Sequence, residues 1–267
     1  MSTRGLETLR DIAQNNWLRT DMITKSAEGF CGIVQTHLTT GSFVDRQDSE
    51  GYNALIVACQ NGHIDTVSVL LANNANLESV TSDGVTALMI ASQENMLDVI
   101  NLLLENNALV NARAINGCPA LSVAALRGNF FAVQALLNAG ADRSLGHRNG
   151  ELPLMSAASN GHTNVCRLLL EDDGAELVNH KRDDGSTALL LAAGGGHHEV
   201  ITLLLRKGAD LYAVRVDGKS ALDLAVLKRH VGAEKILREN LALGVIRDKK
   251  KLAVKEVVIE DDDDDDE

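Results

Sequence analysis

The pattern Gly-x-x-(Ala/Pro)-Leu recurs six times in this chain, beginning at Gly51, Gly84, Gly117, Gly150, Gly185 and Gly218 at spacings of 33, 33, 33, 35 and 33 residues. A fixed period of this size marks a chain built from similar stacked units, and it excludes most other folds at once. Aligned on that glycine, the residue four places on is Leu55, Leu88, Leu121, Leu154, Leu189 and Leu222. Seven places on stand Ala58, Ala91, Ala124, Ala157, Ala192 and Ala225, and nineteen places on Leu70, Leu103, Leu136, Leu169, Leu204 and Leu237.

Each column has a physical cause. The glycine lies among polar residues, as in Asp48-Ser49-Glu50-Gly51, where a tight turn needs positive φ. The alanine, three residues after the leucine on one helical face, leaves a narrow stripe along which two short helices approach closely. A second segment, such as Val99-Ile100-Leu102-Leu103-Leu104, has i, i+3, i+4 apolar spacing and predicts a second and more deeply buried helix. Helices this short do not persist alone in water, so each is held by its neighbours and a stacked solenoid follows.

One copy of the unit reads Asp184-Gly185-Ser186-Thr187-Ala188-Leu189, then Gly196-His197, then Leu203-Leu204-Leu205 through Gly208-Ala209-Asp210, and a second good copy runs from Asp48 through Ala75. A unit of turn plus two helices with these motifs resembles the ankyrin repeat. The resemblance implies an all-α solenoid of helix-turn-helix units joined by β-hairpin-like loops. The chain departs from the family pattern after the fixed leucine, where Ile56, Met89, Ser122, Met155, Leu190 and Asp223 replace the usual histidine. The family's Thr-to-His hydrogen bond is therefore expected to be absent, with apolar contact in its place in four copies. Pro153 alone holds the family's proline position, and Pro119 falls one place early.

Six repeats are expected over about 48–80, 81–113, 114–146, 147–181, 182–214 and 215–247. Residues 1–47 are read as a degenerate helical N-terminal cap, in which Thr36 and His37 replace the Val69 and Leu70 columns and Trp17 covers the first helix pair. In the last repeat Glu234 and Arg238 stand in apolar columns, as a C-terminal cap requires. One extra residue precedes Gly174 and another precedes Gly185, and both map to loops.

Composition fits this scheme. Only 3% of the 267 residues are aromatic against 45% hydrophobic, so thin layers of Ala, Leu, Val and Ile fill the core. The net charge of −12 is concentrated in Glu260 to Glu267, whose eight acidic residues leave 25 basic against 29 acidic before them. This end, residues 248–267, reads as a basic-then-acidic disordered tail. The body is too nearly neutral for a large nucleic-acid-binding field, and no apolar run reaches the roughly 20 residues of a membrane span. Four cysteines are too sparse for a disulfide scaffold, and the start of the chain has no signal-like stretch. A cytoplasmic or nuclear location is expected.

His63, His162, His197 and His230 share one column, but repeats stacked at helix-packing distance hold them too far apart for one zinc ion, so they read as structural. Cys59 and Cys166 read as small buried apolar residues. The Gly194-Gly195-Gly196 run lacks the lysine and hydroxyl of a phosphate loop and reads as a helix end, with bare backbone that a partner could approach. No metal, cofactor or catalytic constellation is expected.

The resemblance implies a non-catalytic scaffold or adaptor, monomeric on its own, that binds a protein on the concave face of the solenoid. The positions free to vary flank each turn glycine or end each first helix. Tyr52, Leu126, Arg127 and Arg148 are the expected energetic centres, with Glu50, Asn116, Glu151, Asp184 and Lys219 beside them. Two alternatives are a regulator of a nucleic-acid-binding protein that uses the acidic tail, and an assembly chaperone or subunit of a larger complex.

Overall fold

The computed structural model describes residues 22–171 and 177–243. Trp17, Gly174 and its neighbouring insertion, and the tail 248–267 lie outside the described residues. The chain divides into two compact units, with the boundary between Ala157 and Ala158.

The first unit begins with helical residues 22–27 (α1) and Cys31–Thr39 (α2). Three helix pairs follow: Ala54–Gln60 (α3) with Ile64–Ala72 (α4), Ala87–Gln93 (α5) with Leu97–Glu105 (α6), and Ala120–Arg127 (α7) with Phe130–Asn138 (α8). Pro153–Ser159 (α9) spans the boundary. The first helices form one layer, α3 on α5 and α5 on α7, and the second helices another, α2 on α4, α4 on α6 and α6 on α8. The second unit repeats the scheme with Thr163–Leu169 (α10), Ala188–Gly195 (α11), His198–Arg206 (α12), Ala221–Leu227 (α13) and helical residues 231–243 (α14). There α11 packs on both α12 and α13, and α10 on α12. Among the described residues no helix is long and apolar enough to cross a membrane.

The expected order of burial is reversed. In α3 every residue from Ala54 to Cys59 is buried, whereas α4 buries only Thr66, Val67 and Leu70. The same holds for α5 against α6, where only Val99, Ile100 and Leu103 of the second helix are covered. A first helix has a second helix on one side, its counterparts in adjacent repeats on two more, and the turns beyond. A second helix keeps one face to water, and its i, i+3, i+4 stripe records that one-sidedness. The alanine column suits the crowded layer, since Ala58, Ala91, Ala124, Ala192 and Ala225 are all fully buried.

Helix starts show what replaced the Thr-to-His bond. Ile56, Met89, Met155 and Leu190 are buried at the variant position. The polar residue before the helix caps it instead: the Asn53 side chain accepts from the Ile56 amide at 2.9 Å, and the Thr86 and Thr187 hydroxyls accept from the amides of Met89 and Leu190. In the last repeat Asp223 restores a two-way bond. The Ser220 hydroxyl accepts from its amide, and its carboxylate accepts from the Ser220 amide at 2.9 Å, a capping box.

A further column has no apolar periodicity to announce it. Asp45, Glu78, Asn111 and Asn179 each accept a hydrogen bond from a backbone amide 31 residues on, those of Asn76, Leu109, Asp142 and Asp210, at 2.7 to 2.9 Å. Asn111 and Asn179 also donate to the carbonyls of Gly140 and Gly208. These side chains tie each loop to the next repeat.

Candidate protein-binding face

Each turn is the same small hairpin. The Asp48 amide donates to the Tyr52 carbonyl at 2.9 Å, and the Gly51 amide returns to the Asp48 carbonyl, with Gly51 at φ 82°. A side chain at Gly51 would also strike the backbone of Thr81 and Ser82, so this glycine serves both the turn and the stacking of turns. Successive turns are joined in a fixed register: the Ser82 amide donates to the Glu50 carbonyl, Ile115 to Asp83, and Arg148 to Asn116 in the first unit. In the second unit the Val216 amide donates to the Asp184 carbonyl at 3.0 Å. With these backbone groups engaged, the side chains around them are what a partner can read.

In the first unit these side chains fall into two kinds. Ile115 and Leu126 are 57% and 42% exposed, and Arg127 and Arg148 are exposed as well. The Arg148 stem lies over Gly117, where an added Cβ would come within 3.1 Å of its Cγ. Asn116 is exposed, but its side chain accepts from the Cys118 amide and shapes the turn. Glu50 is exposed, Tyr52 is half-buried, and Glu151 accepts from the Ser156 hydroxyl at 2.8 Å.

At the turns of the second unit Arg182, Asp184, Arg215, Asp217 and Lys219 are engaged with one another. Asp184 takes a two-pronged bond from Arg182, both at 2.8 Å, and accepts from the Ser186 amide. The Arg182 guanidinium holds the Asp184 carboxyl well below the usual carboxylate range. Lys219 closes on Asp217 at 2.9 Å, which likewise lowers that carboxyl. Arg215 is held loosely, 3.6 Å from Asp217 and 3.8 Å from Asp184, and its buried Nε makes no hydrogen bond.

Between α11 and α13 lies a cavity of about 200 Å³. Gly194 and Gly195 form one side, Leu190, Leu191 and Leu224 the apolar walls, and Ser159, Ser186, Arg215 and Lys228 the polar part. The Ser186 hydroxyl is fully buried beside Asp184 and helps to hold that carboxyl low. Arg215, three residues before its turn glycine, falls just outside the variable positions that flank the turns. The signal for the cavity is the glycine at 194, where the other repeats carry Gln60, Gln93, Leu126, Ser159 and Leu227.

The histidine column is structural. His63 places Nε2 2.9 Å from the Ala27 carbonyl oxygen, His197 2.9 Å from that of Ser159, and His230 3.1 Å from that of Gly194. Each binds the end of the first helix in the preceding repeat, and Asn129 does the same through two bonds to Ser92 and Gln93. Among the described residues no three His, Cys, Asp or Glu side chains gather as a metal would require. Burial pushes the thiol of Cys166 up to about 12 and that of Cys118 to about 11, and raises that of Cys59 further still.

A family model for ankyrin repeats matches in three copies, over residues 23–114, 109–181 and 174–247. The chain belongs to the ankyrin-repeat family. The match begins within α1, so it takes in the helix pair α1 and α2, where Gly29 at φ 76° lies against the His63 ring as the corresponding glycines do against later rings. Ankyrin repeats are in general protein-interaction modules and typically non-catalytic, and the turns and first-helix ends described above are the parts of these repeats with side chains to spare.

Proposed function

We propose that this ankyrin-repeat protein is a non-catalytic adaptor that binds a protein partner through its turns and first-helix ends. The observation that carries the reading is the third repeat and the turn that follows it, where Ile115, Leu126, Arg127 and Arg148 are exposed while Ala120, Leu121, Ala124 and Ala125 of α7 are buried. Arginine is enriched at interface centres, since it combines charge, stacking surface and five donors, and the exposed aliphatic side chains add apolar area whose burial is favourable. Affinity purification of the full chain with mass spectrometry tests this. Leu126→Ala, Arg127→Ala and Arg148→Ala together are expected to remove a stoichiometric partner, because all three are exposed and their loss leaves the core intact. Retention of every partner by the triple variant would overturn the assignment of this face.

A further inference from the structure

The last repeat differs from the others in charge and in exposed aliphatic surface. Residues 48–80 carry four acidic side chains and no basic one, whereas residues 215–247 carry seven basic against four acidic. In the same repeat Val226, Leu227 and Val231 are 44%, 64% and 75% exposed. Val226 holds a column in which Cys59, Ser92, Ala125, Ala158 and Ala193 are fully buried. Other columns at this end of the stack have turned polar, as Asp223, Glu234 and Arg238, but Val226 stays aliphatic and uncovered.

We infer that this surface, where α13 turns into α14, is the docking site of the chain's own residues 257–267. Val257, Val258 and Ile259 lie on the aliphatic cluster, and the acids after them face Lys228, Arg229 and Lys235.

Charge is the first reason. Lys228, Arg229 and Lys235 are exposed and form no ion pair among the described residues. The acids around them are turned elsewhere: Asp223, one turn before Val226, is held by Ser220, Glu234 by Arg238 at 2.9 Å, and Glu199 at the start of α12 accepts from the Thr163 hydroxyl at 3.4 Å. Glu239 is exposed one turn beyond Lys235, away from the aliphatic cluster. Cations without a counter-ion beside aliphatic side chains suit a segment that joins aliphatics to acids.

Composition is the second. Leu252-Ala253-Val254 lies between Lys251 and Lys255 and would bring like charge to Lys228 and Arg229, whereas Val257-Val258-Ile259 runs directly into eight acids. Docking relieves the self-repulsion of those acids and covers Val226, Leu227 and Val231.

Reach is the third. The chain from Leu243 to Val257 spans up to about 46 Å, and α14 is about 18 Å long, so the segment can return along the helix to its start. Docked there, it withholds the last repeat from a partner until a segment of like composition displaces it.

The test follows the amide and methyl signals of Leu227, Lys228 and Val231 in the isotope-labelled full chain. Two full-length variants are compared with it, one with Val257→Ser, Val258→Ser and Ile259→Ser together, the other with the eight acids Glu260–Glu267 replaced by their amides. Both are expected to shift these signals, and Leu252→Ser with Val254→Ser to leave them in place. Raising salt from about 0.05 M to about 1 M should move the wild-type signals toward those of the amide variant and leave that variant unmoved. Tenfold dilution should change nothing, since the contact is within one chain.

Signals indifferent to either of the first two variants, an equal response to the Leu252 and Val254 changes, or a dependence on protein concentration, which would make the occupant a second copy, would each overturn the inference. None of these readouts involves Leu126, Arg127 or Arg148, so the adaptor reading stands or falls separately.

Discussion

Three consecutive glycines, Gly194, Gly195 and Gly196, are expected to respond to the same substitution in three different ways. Gly194 lies inside α11, and an added Cβ would meet nothing closer than Lys228 Nζ at 3.7 Å. Alanine there costs no contact and gains helix propensity, so Gly194→Ala should stabilise the chain by about 0.5–1 kcal/mol. A Cβ on Gly195 would run into the His197 ring and come within 3.0 Å of the Ser159 carbonyl oxygen, across the hydrogen bond that joins those two residues. Gly195→Ala must displace that bond, worth roughly 1 kcal/mol or more when its carbonyl is left buried, and the propensity gain of similar size only partly offsets the accompanying clash. Gly196 caps the helix at φ 76°, a conformation that costs an L-residue about 1–2 kcal/mol, and its Cβ would stand 2.6 Å from His230 Nδ1. Gly196→Ala should therefore destabilise by about 2 kcal/mol or more. Urea denaturation of the full-length variants, followed by circular dichroism, gives the order Gly194→Ala above wild type, Gly195→Ala slightly below, and Gly196→Ala lowest. Equal effects at all three positions, or a loss at Gly194, would refute the argument that packing against His197 and His230 decides these sites.

The histidine and cap positions can be probed in the same denaturation assay. His197→Ala should cost about 1–2 kcal/mol, since it orphans the Ser159 carbonyl, and His197→Asn should recover part of that because Asn129 makes the equivalent bonds in its own repeat. Asn95 and Arg229 hold positive φ of 58° and 60° where other repeats have glycine, so Arg229→Gly should raise stability by roughly 1 kcal/mol and Asn95→Gly by less. Ser220→Ala should lose about 1 kcal/mol by removing the cap of α13. The bonds to Ser220 lower the Asp223 carboxyl below its unfolded value near 3.9, so this contribution is complete above that pH and disappears as pH falls through the folded value; the deficit of Ser220→Ala should shrink on acidification. In native protein at neutral pH, mass spectrometry after iodoacetamide treatment should find Cys59, Cys118 and Cys166 unmodified long after half-buried Cys31 has reacted, and rapid labelling of all four would contradict the burial described here.

The 33-residue period carried the turn glycines and the helix pairing, because a solenoid makes the same contacts in every layer and each recurring contact leaves a column in the sequence. The histidine column was legible as structural for the same reason. Burial rank was not legible: the stronger apolar periodicity of Leu97–Glu105 marks a helix half in water, while Ala87–Gln93, with weaker periodicity, is the one enclosed on all sides. Periodicity measures contrast between faces, and a helix covered all round has little contrast to show.

Of the candidate residues, the exposure of Leu126, Arg127 and Arg148 was legible from their positions beside turns and helix ends. That Glu151 is engaged by Ser156, and Asp184 by Arg182, required side-chain geometry, since the sequence shows only that these residues are charged and near a turn. The order of amino acids is enough to dictate the repeat, its length and the alanine column of its inner layer, where first helices approach too closely for a larger side chain. Which donors are spent and which are not is a matter of packing between repeats. Arg215 lies 31 residues from Asp184, and their approach to 3.8 Å depends on how one turn sits upon the next.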